Sequence, residues 1–187
     1  LDLIVLALED GDVLAQVRQL RAQFEVPLIV ITDRIEERLH VALLDVGADL
    51  IVLRPFSGRL LVAQVRALLR RASGQPLLTL PTLSIGALSL DPAVRTVQVE
   101  GRSPKRLTQL EFRLLYTLMT HRGQILSADA LVEHVWGYAG EGDRDLVRGL
   151  VSRLRAKVEP TPRNPRYIVT VPGAGYSLNT DDEDAEL

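Results

Sequence analysis

The chain has 187 residues, 47% apolar and 25% charged, an ordinary balance for one large or two small globular domains. With no cysteine and three histidines (His40, His121, His134), no two at ligand spacing within one element, it argues against disulfides, thiolate sites and zinc, and no cofactor or metal is expected. No apolar run approaches the roughly 20 residues that span a bilayer and no signal-peptide pattern opens the chain, so a cytoplasmic protein with no membrane partner is expected.

The net charge of −2 is unevenly spread. Residues 1–82 carry nine basic against ten acidic side chains, residues 83–178 thirteen against nine, and residues 179–187 none against five. A basic module between a near-neutral one and an acidic tail points to nucleic acid, although a balance of +4 also suits a solvated surface.

In chain order, LDLIVLAL (1–8) reads as a buried strand, and VLAQVRQLRAQ (13–23) as a helix with Val13, Val17 and Leu20 on one face. PLIVIT (27–32) is a second strand, EERLHVALLDVG (36–47) a helix stopped by Gly47, DLIVL (49–53) a third strand and GRLLVAQVRALLRRA (58–72) a long helix. That alternation predicts a parallel sheet flanked by helices. Residues 73–82, with two prolines and a glycine, read as a linker. Short antiparallel strands are expected over 83–100. A helix from Thr108 to His121 follows, with Glu111 at the reciprocal capping position and Phe112, Leu115 and Met119 facing inward. Ser127 caps a second helix, the glycine-rich loop 137–143 leads to a third over 144–158, and 167–178 form a hairpin around PGAG. The predicted fold is α/β followed by an α+β winged helix-turn-helix.

The third helix carries the binding chemistry. At about 100° per residue, Val147, Val151, Leu154 and Val158 form one apolar stripe. Opposite lie the short side chains of Asp145, Gly149, Ser152 and Ala156. Arg144, Arg148 and Arg155 line one flank; Arg153 and Lys157 line the other. A narrow ridge between basic flanks suits a major groove, where guanidinium groups reach phosphates and guanine edges. Basic residues that only keep a helix soluble are the alternative. Gly149 costs about 1 kcal/mol of helix propensity relative to alanine, which hints at a close approach.

LTQLEFRLLYTLMTHRGQILSADALVEHVW, LVSRLRAKVE and YIVTVPGAGYSL together resemble the effector domain of OmpR/PhoB-family response regulators over residues 83–178. VPLIVIT, LLDVGAD and LRPF resemble the later part of a receiver domain over residues 1–72, its first strands absent from this chain. The resemblance implies a dimeric regulator of transcription, not an enzyme, that binds repeated sites on double-stranded DNA. It implies base contact by Arg153, phosphate contact by Arg155, and RNA polymerase contact through loop 137–143. Arg148, Gly149, Ser152 and Lys157 complete the expected DNA-binding set. Leu150 stands where a phosphate-contacting histidine is frequent, and Pro172 where the wing often has an arginine.

The receiver-like part departs further. Ala7 occupies the position of the phosphoacceptor aspartate, and a methyl group can neither attack a phosphoryl donor nor bind its metal. Arg54 replaces the family's lysine with a wide planar fork, and Ile51 replaces the switch aromatic. Thr32 alone is retained, followed by Asp33. Leu50 and Leu60 stand at two acids of the family's dimer face and Gln64 at an arginine, while Arg71 is retained. A phosphorylation-independent regulator with a more apolar receiver dimer is therefore expected. The alternatives are a protein-interaction adaptor using the receiver surface, and a conventional regulator whose acceptor has moved to Glu9, Asp10 or Asp12. The acidic tail, 179–187, is expected to be solvated, or else to compete with DNA for the basic helix.

Overall fold

The computed structural model describes residues 1–7, 12–33, 35–73, 81–138 and 144–179, with the side chains of 71–73 outside that set. Three parallel strands open the chain: β1 (Ile4–Ala7), β2 (Leu28–Thr32) and β3 (Leu50–Leu53), in the order β1-β2-β3. All five residues of central β2 are buried, as expected of a strand covered on both faces. Its register sets Ala7 beside Ile31 and Thr32 beside Leu53. The helices α1 (Val13–Gln23), α2 (Glu37–Val46) and α3 (Gly58–Ser73) follow the three strands in turn. Asp12, one of the displaced-acceptor candidates, caps α1 by accepting from the Ala15 N–H. Glu9 and Asp10 lie outside the described residues.

The second half begins with a four-stranded antiparallel sheet, β4 (Leu83–Ile85), β5 (Leu88–Asp91), β6 (Thr96–Val99) and β7 (Lys105–Arg106). The two-residue β7 has no apolar alternation to reveal it, since both its side chains are exposed and only its backbone joins β6. Helix α4 (Gln109–Thr120) starts with both halves of the capping box: the Glu111 N–H donates to Thr108 and the Thr108 N–H donates to the Glu111 carboxylate. Helices α5 (Ala128–Val135) and α6 (Arg144–Val158) follow, then the hairpin β8 (Ile168–Val171) and β9 (Gly175–Leu178).

The two halves are not beads on a linker. Their buried apolar side chains form one continuous cluster, in which α2 of the first half packs against α6 of the second. Trp136, fully buried, donates its indole N–H to the Asp49 carbonyl at 2.8 Å. The Gln109 N–H donates to the Glu25 carbonyl at 3.1 Å, and the Glu25 carboxylate meets Arg106 at 2.9 Å and Arg95 at 3.6 Å. Leu50, expected on a dimer face, is instead 3% exposed. It pairs with Ile29 at the start of β3, so its side chain belongs to the core.

Candidate nucleic-acid interface

Helix α6 forms because its apolar residues repeat at helical spacing, and that stripe is buried as expected: Val147, Val151, Leu154 and Val158 are each 0–1% exposed. Leu150 joins them in the core, fully buried. The wing is set by Glu159, 3% exposed just past the helix end. Its carboxylate accepts the backbone N–H groups of Arg166 (2.7 Å), Tyr167 (3.0 Å) and Ile168 (2.7 Å). One buried charge thus fixes how the chain turns from α6 into β8. A lone acid after VSRLRAKV carries no sequence signal of that role.

The outer ridge of α6 is split. Arg148, Ser152 and Ala156 are exposed. They border an open cleft of about 420 Å³ completed by Arg155, Pro162, Arg163 and Tyr176. Arg148 is half exposed and pairs with Asp145 at 3.0 Å. Arg155 faces the same cleft but is committed inward. It donates to the Ile168 carbonyl at 2.6 and 2.9 Å and to the Thr170 hydroxyl at 2.9 Å, with its guanidinium 6.0 Å from the Tyr176 ring centroid. Burial lowers its pKa from the ordinary arginine value, while Tyr176 and Glu159 act in the opposite direction.

The other flank faces the first half of the chain. Gly149 is buried: a Cβ built on it would lie 2.8 Å from the Leu44 Cβ and 3.3 Å from the Leu44 carbonyl carbon. The close approach implied by this glycine is therefore made to α2. Arg153 donates through Nη2 to Asp49 Oδ1 at 2.9 Å, with its side chain 10% exposed and Asp49 1% exposed. Its Nε and Nη1 are buried with no hydrogen-bond partner among the described residues. Lys157 is likewise engaged, with Glu111 Oε2 at 2.6 Å and the Arg106 carbonyl at 2.9 Å. In this arrangement Arg153, Arg155 and Lys157 each make intramolecular contacts.

Asp49 is the centre that periodicity did not reveal. One oxygen takes Arg153; the other takes Arg21 Nη2 and the Leu28 N–H, the latter at 3.0 Å. Arg21 is itself anchored on the Gly47 carbonyl (2.7 Å) and the Val26 carbonyl (2.6 Å), lying across a glycine at φ +133° where a Cβ would strike its Cγ. The only signal was an acid flanked by Ala48 and Leu50 at the start of a buried strand. Such an acid requires partners, because burying an unpaired charge is costly.

At the C-terminal edge of the parallel sheet, where ligands bind in open α/β folds, the structure gathers Ala7, Thr32 and Arg54. Thr32 is 7% exposed and its carbonyl accepts the Arg54 N–H at 2.9 Å. Arg54 Nη1 lies 3.8 Å from Asp33 Oδ1. Of the expected dimer residues besides Leu50, Leu60 is 59% exposed and Gln64 is half-buried. The side chain of Arg71, loop residues 139–143 and tail residues 180–187 lie outside the described residues. Among the described residues no three metal-ligating side chains cluster, and no helix is long and apolar enough to cross a membrane.

The family model "Transcriptional regulatory protein, C terminal" matches residues 102–178, the segment from β7 through the wing. The DNA-binding response regulator MtrA of Mycolicibacterium smegmatis is 42% identical over 159 residues, spanning 85% of this chain and 68% of that protein. The chain belongs to the OmpR/PhoB family of two-component transcription regulators. Among solved members, the Klebsiella pneumoniae RstA DNA-binding domain in complex with the RstA box is 34% identical, with a TM-score of 0.50, covering 55% of this chain and all of that one. A solved point mutant of RitR shares the fold across both halves, with a TM-score of 0.72 and 24% identity over 96% of this chain and 80% of that one. The OmpR/PhoB architecture accounts for the order of elements here, a receiver-like sheet followed by a winged helix.

Proposed function

We propose that this OmpR/PhoB-family chain binds double-stranded DNA sequence-specifically and regulates transcription as a cytoplasmic homodimer, without catalysis and without phosphorylation. The proposed division is a receiver over 1–72, a linker over 73–82, an effector over 83–178 and an acidic tail over 179–187. Recognition is assigned to α6, with Arg153 toward the bases, Arg155 toward the backbone, and Arg148, Gly149, Ser152 and Lys157 completing the DNA-binding set. RNA polymerase contact is assigned to loop 137–143. The carrying observation is the exposed basic cleft bounded by Arg148, Ser152 and Arg163, beside the wing and in a fold whose RstA relative was solved with its DNA box. Binding to the DNA upstream of its own gene is expected to weaken steeply with salt. Arg148→Ala is expected to weaken binding and lower the salt slope by about one. A salt-insensitive interaction, or none, refutes this assignment and favours the adaptor.

Phosphorylation independence is supported by Ala7 beside Ile31, with an arginine in place of the lysine. Mass spectrometry after acetyl phosphate treatment is expected to show no phosphoryl adduct; a stoichiometric one overturns the proposal. For the dimer, Leu60 and Gln64 on α3 remain the offered contacts, with Arg71 beyond them on the same helix.

A further inference from the structure

We infer that His121 and His134 form a two-imidazole site for one divalent transition-metal ion of the Zn²⁺ or Cu²⁺ class, where the end of α4 meets α5. The site lies outside α6 and the wing and does not depend on the DNA-binding reading. Ligand spacing within single elements could not reveal it, because His121 caps the C-terminus of α4 and His134 stands in the last turn of α5.

The tautomers of the two rings match. His121 Nδ1 lies 2.9 Å from the Thr117 carbonyl, and His134 Nδ1 lies 2.8 Å from the Ala130 carbonyl. A carbonyl oxygen only accepts, so each Nδ1 donates and each neutral ring keeps its lone pair on Nε2. Neither Nε2 has a hydrogen-bond partner among the described residues. Metal-binding imidazoles are oriented in this way, by donating the other ring nitrogen to a carbonyl or carboxylate. The spacing also fits. With Zn–N bonds of about 2.0–2.1 Å and each nitrogen about 1.1–1.2 Å from its ring centre, a tetrahedral ion separates two imidazole centroids by about 5.2 Å. The His121 and His134 centroids are 5.2 Å apart, with the rings at 82°. Edge-to-face packing of aromatic rings covers the same range, but it does not require two bare Nε2 lone pairs. Both side chains stand at helix C-termini, where unpaired carbonyls favour a cation. His134 is exposed and His121 half-buried, so an ion reaches them from solvent. Among the described residues no third ligating side chain joins the pair, which leaves the remaining positions to water. Two imidazole donors select Zn²⁺ and Cu²⁺ over the oxygen-seeking Mg²⁺ and Ca²⁺. The bound ion would tie α4 to α5, and an ion that binds only the folded chain stabilises it.

Titration of the full, untagged chain with Zn²⁺, Cu²⁺ or Mg²⁺, followed by calorimetry and by the imidazole proton signals in NMR, tests the site. One Zn²⁺ per chain is expected to bind, Cu²⁺ more tightly and Mg²⁺ not at all. The His121 and His134 signals are expected to shift on adding Zn²⁺, while that of His40, on α2, stays in place. His121→Gln and His134→Gln are each expected to weaken Zn²⁺ binding at least tenfold. Each is also expected to abolish the rise in melting temperature that Zn²⁺ gives the wild-type chain. His40→Gln, at the third histidine of the chain, is expected to change neither readout. His134→Gln, at an exposed position, keeps the test available if His121→Gln does not fold. Zn²⁺ binding that survives both substitutions unchanged belongs to other groups, such as the five acids of residues 179–187, and overturns the inference. So does the absence of heat and of any histidine shift up to millimolar Zn²⁺.

Discussion

The two sides of the Asp49–Arg153 pair should respond to mutation very differently. Asp49→Ala would leave two guanidinium groups, each 10% exposed, without their anion, and would remove the acceptor of the Leu28 N–H. Removing one member of a buried ion pair costs about 3–5 kcal/mol, and an orphaned buried N–H about 1–3 kcal/mol. These effects overlap at one carboxylate, so about 4 kcal/mol is the expected loss. That is a large part of the roughly 5–15 kcal/mol that holds a typical domain folded. Arg153→Met removes the partner whose Nε and Nη1 are already unsatisfied, while Asp49 keeps Arg21 and the Leu28 N–H. Replacing an imperfectly bonded buried charge by an apolar side chain of similar length is often neutral or stabilising, so a cost under about 1 kcal/mol is expected. Equilibrium urea unfolding followed by Trp136 emission measures both. A loss of about 3 kcal/mol or more for Arg153→Met, or below about 1 kcal/mol for Asp49→Ala, refutes the reasoning.

Glu159→Ala orphans three backbone N–H groups at the entrance to the wing. It is expected to cost about 2–4 kcal/mol and to lower the melting temperature by roughly 5–10 °C. Thr108→Ala removes half of the α4 capping box and is expected to cost about 1 kcal/mol by chemical denaturation. Leu60→Glu, at a position 59% exposed, is expected to leave the melting temperature within about 2 °C while converting the proposed dimer to monomer in sedimentation. A dimer that survives the substitution places its contacts away from this face of α3.

Much of the fold was legible because its causes are local. The Thr108 and Glu111 capping pair and the 3.6-residue repeats of α4 and α6 are short-range effects, and the structure places those helices where the spacing puts them. The apolar run 28–32 likewise reads as a buried strand because both its faces are covered. What escaped were elements and roles held by distant partners. Strand β7 exists through backbone bonds to β6, without any side-chain pattern. Leu50 matches a family surface position yet is buried, because strand register places it in the core. Asp49 and Arg153 are 104 positions apart in the chain, and no local periodicity links them.

By itself, then, the sequence determined most of the elements and the family, and set Ala7 where the resemblance expects an aspartate, all matters of residue identity and near-neighbour spacing. Only the tertiary structure decided whether the recognition helix stands free. A glycine on a helix permits close approach by any partner, and a guanidinium bonds any well-placed acceptor. Gly149 and Arg153 therefore suit a DNA groove and the α2 corner equally well in sequence. The packing of Leu44 and Asp49 against them shows which partner holds them in this structure.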